Sequence, residues 1–190
     1  MFFIDIGIAF LKGLTFEEIS WRTGEPLREV QFDFPQADVH LLQRLPGMVD
    51  FSCQVELLNY LKSIWGLKDA PRAFGMARDD SLLKAGFKRT TADRHVWANF
   101  CAVGKSVCVV TTHVDDVKGR ATKGARAELR KRVSHDFGGE LNSQEREFER
   151  AGIQHSQNSD TREVYVHETI TSNSSRVTLP MILHLSHLVR

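Results

Sequence analysis

Residues 107–119 read Val-Cys-Val-Val-Thr-Thr-His-Val-Asp-Asp-Val-Lys-Gly. A run of apolar and β-branched residues is typical of a strand, and this run leads directly into two adjacent carboxylates, Asp115 and Asp116. Side chains at a strand end are held more firmly than side chains in a flexible loop, and hard cations such as Mg²⁺ prefer carboxylate oxygens. An Asp-Asp pair is also common in solvated turns. A metal site here therefore needs a third carboxylate from elsewhere in the chain.

The segments around this stretch predict a mixture of strands and helices. Residues 96–100 and 106–112 have the pattern of two strands of a hairpin, with Gly104 in the turn. Helices are predicted over residues 70–85, ending at Gly86, and over residues 122–137. The first helix is expected to bury Ala73, Phe74, Ala77, Leu82 and Leu83 and to leave the adjacent Asp79 and Asp80 on a solvated face. The second helix has an apolar face and a basic face, and the basic face is either solvated or placed along a phosphate backbone. The apolar face consists of Ala125, Leu129, Val133 and Phe137, and the basic face includes Lys123, Arg126, Arg130 and Lys131.

The third carboxylate is Asp5, in the first segment of the chain. Residues 1–6 are apolar apart from Asp5 and predict a strand that is buried on both faces. An ionised carboxylate inside such a strand needs a partner, a hydrogen bond or a metal, unless it lies at an exposed strand end. Asp5 therefore either has a functional partner or lies at a frayed, exposed end of the strand.

The remaining segments carry weaker signals. Short helical turns are expected on both sides of Gly13, and residues 23–51 are expected to be rich in loops because of their glycines and prolines. Residues 55–64 have an ordered apolar pattern that fits a helix or a strand. Residues 147–154 and 163–167 predict two short strands, and the polar tail 169–190 is expected to be poorly ordered.

Composition excludes several classes of protein. The chain has 190 residues, 42% of them hydrophobic and 26% charged, and its formal net charge is +1. Such a chain can bury a core, and its overall charge gives no reason to expect a nucleic-acid partner. Three cysteines without Cys-x-x-Cys spacing favour a reducing compartment over a disulfide framework or a zinc ribbon. No apolar run approaches the roughly 18 residues of a membrane span, so we expect a soluble intracellular protein without a membrane partner.

Longer motifs surround the aspartates. The first is Asp5-Ile6-Gly7-Ile8-Ala9-Phe10-Leu11-Lys12-Gly13, and the second is Ser63-Ile64-Trp65-Gly66-Leu67-Lys68-Asp69-Ala70-Pro71-Arg72-Ala73-Phe74. The third is His113-Val114-Asp115-Asp116. In order and spacing these motifs resemble the reverse transcriptase of Ty1/copia-type LTR retrotransposons. That family has Asp-Val-x-x-Ala-Phe-Leu-x-Gly, then Ser-Leu-Tyr-Gly-Leu-Lys-Gln-Ala-Pro-Arg-Ala-Trp, and then Tyr-Val-Asp-Asp.

The resemblance implies a fold and an activity. The fold would be α+β, a polymerase palm-like antiparallel sheet with helices packed on one face, over residues 1–168. Fingers and thumb would be largely missing, as in a palm-centred fragment of a polyprotein. The activity would be RNA-directed DNA synthesis by two-metal nucleotidyl transfer on an RNA or DNA template with primer, from deoxynucleoside triphosphates. The compartment would be the cytoplasm, in a retroelement particle, or the nucleus.

The resemblance also assigns roles to residues. Asp5, Asp115 and Asp116 would be the catalytic carboxylates, and Asp5, Asp115 and the carbonyl of Ile6 would hold two Mg²⁺ or Mn²⁺ ions. The substrate would contact Phe10 as a steric gate against the 2′-hydroxyl, together with Trp65, Gly66, Lys68, Pro71 and His113. Two departures affect these roles: His113 stands where the family has tyrosine, and Asp69 where it commonly has glutamine.

Two other functions are compatible with the residues. One is a catalytically silent retroelement remnant that at most binds nucleic acid through the basic helix. The other is a two-metal phosphohydrolase, which would need histidines or further carboxylates that the motifs do not supply.

Overall fold

A computed structural model describes residues 1–138, 141–150, 153–161, 163–168 and 180–183. The chain forms two compact units. The first unit contains residues 1–9 and the described part of 78–190, and the second contains residues 10–77.

The described residues form twelve strands and four α-helices. The strands are β1 (Phe2–Ile6), β2 (Gln31–Phe32), β3 (Leu58–Asn59), β4 (Lys88–Arg89), β5 (Val96–Phe100), β6 (Ser106–His113), β7 (Asp116–Ala121), β8 (Leu141–Glu145), β9 (Glu147–Arg150), β10 (Ile153–Gln157), β11 (Val164–Glu168) and β12 (Pro180–Leu183). The helices are α1 (Phe16–Thr23), α2 (Val39–Leu42), α3 (Ala70–Lys84) and α4 (Lys123–Phe137), with short 3-10 helices at Ala9–Lys12 and Gln36–Asp38.

A six-stranded antiparallel sheet organises the first unit, in the order β4-β5-β6-β7-β1-β8. The predicted α+β class with an antiparallel sheet is therefore confirmed. β1 lies between β7 and β8, so the segment near the start of the chain pairs with the strand that begins at the second of the two adjacent aspartates. The predicted hairpin is also confirmed, and β6 ends at His113, one residue beyond the predicted end of the strand.

One face of this sheet carries the core. Alternate strand residues point to opposite faces, and the buried set includes Ile4, Ile6, Val110, Val117 and Trp97, all at most 1% exposed. Helix α4 contacts β6 and β7, and its predicted apolar face is confirmed by buried Leu129, Val133 and Phe137. The Thr122 hydroxyl accepts the Ala125 N–H and so caps the helix where the sequence predicts its start.

A second sheet in this unit, β9 to β12, is tied to β1 by aromatic stacking. Its strands are antiparallel in the order β12-β11-β10-β9. The ring of Phe148 lies 5.3 Å from that of Phe3 and 4.8 Å from that of His155, with both pairs stacked. Burial, and to a lesser extent the charge of Lys118, holds the pKa of His155 below its usual value.

The lowered pKa of His155 predicts that the folded protein is less stable in acid. Because the folded state lowers the pKa of His155, the unfolded state binds more protons, and the free energy of unfolding should fall as pH drops through and below about 6.5. Replacement by phenylalanine keeps a stacking ring and removes the titration. In urea unfolding at pH 7.5 and pH 5, His155→Phe should lose less stability than the wild type. Equal losses in the two proteins would contradict the prediction.

The second unit is organised by α1 and the first half of α3. Thr15 and Glu18 form a reciprocal capping box at the start of α1, and the Thr15 N–H holds the pKa of Glu18 below its ordinary value. Leu14, Ile19 and Ala73 form a buried cluster. Gly13 fits against α3 because a Cβ there would lie 2.9 Å from the Phe74 nitrogen. Residues 23–51 contain one two-residue strand and short helical turns, which confirms the predicted loop-rich character.

Several expectations need correction. Residues 55–64 contain only the two-residue strand β3, and Val55 and Leu61 are 82% and 76% exposed, so this apolar pattern is not a buried element. Leu83 was expected on the buried face of α3 and is exposed. The predicted strand 147–154 is divided between β9 and β10, and β8 was not predicted. The predicted poorly ordered tail, 169–190, lies outside the described residues except for β12.

Two further observations bear on expected properties of the chain. Across the described ranges, no helix is both long enough and apolar enough to cross a bilayer. Cys53, Cys101 and Cys108 are free thiols, and burial raises the pKa of Cys108 to about 12, so this thiol is a core group rather than a nucleophile.

Candidate active site

The three aspartates of the first and third motifs lie where β1 and β7 pair. Asp5 lies directly opposite Asp116 in the antiparallel register, which places their Cα atoms about 4.5–5.5 Å apart by general sheet geometry. The Ile6 N–H donates to the carbonyl oxygen of Asp115 at 3.1 Å. Residues far apart in the chain are therefore neighbours in the sheet.

The register also gives the direction of these side chains. Asp116 is opposite Asp5 on one side and opposite His113 on the other, so all three point to the same face of the sheet. The neighbouring residues Ile4, Ile6 and Val117 point to the opposite face and are fully buried. The carboxylates thus lie on the face away from the apolar core.

Exposure distinguishes the two members of the Asp-Asp pair. Asp116 is 1% exposed and begins β7, whereas Asp5 and Asp115 are half-buried. Asp115 belongs to the two-residue turn between β6 and β7, with Val114 before it. The half-buried carboxylates are the better placed of the three to meet a ligand from solvent.

The turn itself is strained and is held from outside. Val114 has φ = 47°, a left-handed conformation that is rare for a β-branched residue. Arg78 of α3, which is 7% exposed, donates from Nη1 to the Val114 carbonyl oxygen at 2.9 Å. None of the three motifs contains Arg78. A signal was present, since Arg78 continues the i, i+4 spacing of Phe74 and Leu82 and so places a charge in an apolar stripe.

An open polar cavity of about 590 Å³ adjoins Asp5. Its lining comes from β1, β8 and α4: Asp5, Gly7, Arg130, Leu141, Asn142 and Ser143. Arg130 is one of the basic residues predicted on the outer face of α4 and is exposed. The cavity therefore combines a carboxylate, a guanidinium and neutral polar groups, which suits an anionic ligand held partly through a cation.

The other predicted substrate residues belong to the second unit. Phe10 and Trp65 make an edge contact with ring centroids 6.5 Å apart, and Trp65 is 56% exposed. Gly66 has φ = 88°, a conformation that favours glycine. Lys68 and Pro71 are exposed. The described geometry thus groups Phe10 with Trp65 and, separately, Asp5 with Asp116 and His113.

The unusual Asp69 is neutralised within its own unit. Its carboxylate accepts a hydrogen bond from Arg28, and the Arg28 guanidinium lies 6.0 Å from the centroid of the Phe16 ring. The negative charge that replaces the family's glutamine is therefore paired with a cation.

The donor set suits Mg²⁺ in one specific way. Within the described ranges, no three His, Cys, Asp or Glu side chains gather into a group that could hold a metal ion. Mg²⁺ is commonly held by one or two carboxylates together with water and substrate phosphates. Asp5 of β1 and Asp115 of the adjacent turn supply the number of carboxylates that this mode uses, and the cage of a structural metal site does not form from the described side chains.

Comparisons with protein-family models, with curated proteins and with solved structures found no match.

Proposed function

We propose that this chain is the palm region of a reverse transcriptase of the Ty1/copia type, an RNA-directed DNA polymerase. One observation carries the proposal: Asp5 of the first motif lies opposite Asp116 of the third in adjacent strands. The two motifs come from distant parts of the chain, and the resemblance that joins them requires this proximity. If Asp115 and Asp116 only formed a solvated turn, nothing would require Asp116 to lie beside the carboxylate of β1.

The strand order gives further support. The hairpin of β6 and β7 carries the Asp-Asp turn, β1 pairs with β7, and β8 pairs with the far side of β1. A palm needs this arrangement because it must bring the first-motif aspartate to the side of the hairpin tip. Helix α4 connects the hairpin to β8 across β6 and β7.

The residues would divide the work as follows. Asp5, Asp115 and the Ile6 carbonyl would hold two Mg²⁺ or Mn²⁺ ions, which neutralise charge on the attacking and leaving oxygens. Asp116, being buried, would support the turn electrostatically. Arg130 would contact phosphate oxygens in the cavity beside Asp5.

Residues of all three motifs would contact the substrates. Phe10 would exclude ribonucleotides by contact with a 2′-hydroxyl, and its ring is held by Trp65. Gly66 would allow close approach of the backbone, Lys68 and Pro71 would border the nucleotide, and His113 would lie near the primer end. The partners would be an RNA or DNA template with primer and deoxynucleoside triphosphates, in the cytoplasm or nucleus.

Primer extension tests this function. Incorporation of dTTP on poly(rA)/oligo(dT) should require Mg²⁺ or Mn²⁺ and should be lost in Asp5→Asn. The control Asp50→Asn removes an exposed carboxylate of the second unit and should leave incorporation unchanged. A folded wild-type protein that incorporates nothing with either metal, or an Asp5→Asn variant as active as the wild type, would refute the proposal.

A second candidate function is nucleic-acid binding without catalysis. It is favoured by the exposed cations Lys123, Arg130 and Lys131 of α4, because basic helix faces bind phosphate backbones. This function predicts binding that weakens steeply with salt, equal affinity in the wild type and Asp115→Asn, and no incorporation. Incorporation that depends on Asp5 would exclude it.

A further inference from the structure

A buried arginine reaches the backbone of the Asp-Asp turn. Arg78 donates from Nη1 to the Val114 carbonyl oxygen at 2.9 Å and is 7% exposed. A buried guanidinium needs partners for its charge. Arg78 has one in Asp79, whose Oδ1 accepts from Nε at 3.3 Å and from Nη2 at 3.0 Å. The guanidinium therefore uses Nε and Nη2 for the ion pair with Asp79 and Nη1 for the hydrogen bond to the turn.

The carboxylate of this ion pair also binds a second arginine. Asp79 also accepts from Arg89, through its other oxygen. The Arg89 guanidinium lies 4.6 Å from the centroid of the Trp97 ring, and Trp97 is fully buried. The expectation that Asp79 is merely solvated is therefore wrong. Arg78 is held on a rigid element by contacts that do not involve the turn.

The contact falls on the one residue of the turn whose backbone is strained. Val114 has φ = 47°, and a β-branched residue stays in that region only when its surroundings require it. The next carbonyl, of Asp115, accepts the Ile6 N–H at 3.1 Å. Two successive peptide planes are thus held from two elements, Arg78 of α3 and Ile6 of β1. The Cα atom of Asp115 lies between those two planes, so the position from which its side chain extends is fixed.

We infer that Arg78 is a positioning residue for Asp115, and that it acts by holding Val114 in the left-handed conformation; this role rests on the proposed function. Arg78 does not contact the reacting atoms. It sets the direction from which the Asp115 carboxylate approaches a metal. In phosphoryl transfer, positioning and electrostatic stabilisation supply nearly all of the catalysis.

The first test replaces Arg78 by leucine. Leucine fits the apolar stripe of α3, so the variant should fold. We expect kcat for primer extension to fall about 10- to 100-fold while KM for dTTP stays within about twofold, because misplacement of roughly 1 Å costs rates of that order. Arg89→Leu is the matched control: Arg89 binds the other oxygen of Asp79, so its loss leaves both Arg78–Asp79 hydrogen bonds and the Arg78–Val114 contact in place. Its kcat should stay within about twofold of wild type.

The second test is a rescue that a purely structural role would not produce. Glycine takes the left-handed conformation at no steric cost. Adding Val114→Gly to Arg78→Leu should therefore restore most of the lost kcat. Arg78→Lys offers one compact ammonium in place of a fork and should give an intermediate kcat. This variant also keeps the test decisive should Arg78→Leu fail to fold.

An independent readout separates this inference from the proposed function. The amide nitrogen of Asp115 shares a peptide with the Val114 carbonyl, so its ¹⁵N resonance reports the Arg78 contact without catalysis. It should shift in Arg78→Leu and not in Arg89→Leu. If the wild type is inactive but the Asp115 resonance shifts in Arg78→Leu, the polymerase proposal is wrong and the contact between Arg78 and the turn is confirmed. An active wild type with unchanged kcat and an unshifted resonance in Arg78→Leu would overturn the inference.

Discussion

If the proposed function holds, Asp115→Asn should lower nucleotide incorporation about 10²- to 10³-fold, whereas Asp116→Asn should lower it about 10- to 100-fold. Removal of one charge-stabilising group in a preorganised site costs about 10²–10³, and loss of an outer-shell partner of a metal ligand costs about 10–100. Asp115 is half-buried in the turn, and Asp116 is 1% exposed at the start of β7. Of this adjacent pair, Asp115 is therefore the one that a ligand can reach from solvent. Single-turnover primer extension with Mn²⁺ measures both losses.

The chain contains a matched control for this comparison. Asp79 and Asp80 form a second adjacent pair, on α3. Asp80→Asn removes the same charge from the same kind of pair, and it should leave incorporation within about twofold of wild type, as is usual for a partly exposed helix position. Thermal unfolding followed by circular dichroism checks that each variant folds. If Asp116→Asn proves as damaging as Asp115→Asn, the division between a metal ligand and a supporting acid is wrong.

Elements with a strong period could be predicted from the sequence. β6 alternates between the buried Cys108, Val110 and Thr112 and exposed neighbours, and α4 repeats its apolar residues at helical spacing. In both elements the residue pattern and the buried face agree, so local and global preferences coincide. Gly86 and Gly104 likewise predicted where α3 ends and where the β5–β6 hairpin turns, because both have the left-handed backbone conformation that favours glycine.

Elements stabilised mainly by pairing could not be predicted. β8 reads Leu-Asn-Ser-Gln-Glu and has no apolar alternation. It is a strand because β1 presents an edge on which all five of its residues find partners. Conversely, residues 55–64 have apolar residues and almost no regular structure, since no long strand pairs with them. Strand formation depends on a neighbour more than on the residues themselves.

The candidate site divides along similar lines. Asp5, Asp115 and Asp116 could be singled out because a carboxylate is unexpected in or after an apolar run. The position of Asp5 opposite Asp116 could not be predicted, because β1 and β7 are far apart in the sequence. Arg78 was missed because arginine is normally exposed, and its contact with the Val114 carbonyl joins residues 36 positions apart in the chain.

Gly119→Ala should destabilise the first unit. Gly119 lies in β7 opposite Val110 of β6 and Phe2 of β1. A Cβ there would lie 2.3 Å from the Val109 carbonyl oxygen and 2.8 Å from Val110 Cγ1. A backbone oxygen inside a sheet cannot move aside as the end of a flexible side chain can, so β7 must shift. We expect a loss of about 1–3 kcal/mol in the free energy of unfolding, the usual cost of overpacking.

Gly124→Ala is the opposite case and the control. Gly124 lies in the first turn of α4, and a Cβ there would meet nothing within 4 Å. Alanine should therefore raise the free energy of unfolding by about 0.4–1 kcal/mol, because it restricts the unfolded chain without strain. Urea unfolding of the two variants gives both values. Since β7 carries Asp116 and begins at the strained turn, Gly119→Ala should also shift the Asp115 amide resonance, and Gly124→Ala should not. A Gly119→Ala protein as stable as wild type would mean that β6 and β7 are not packed as closely as this register requires.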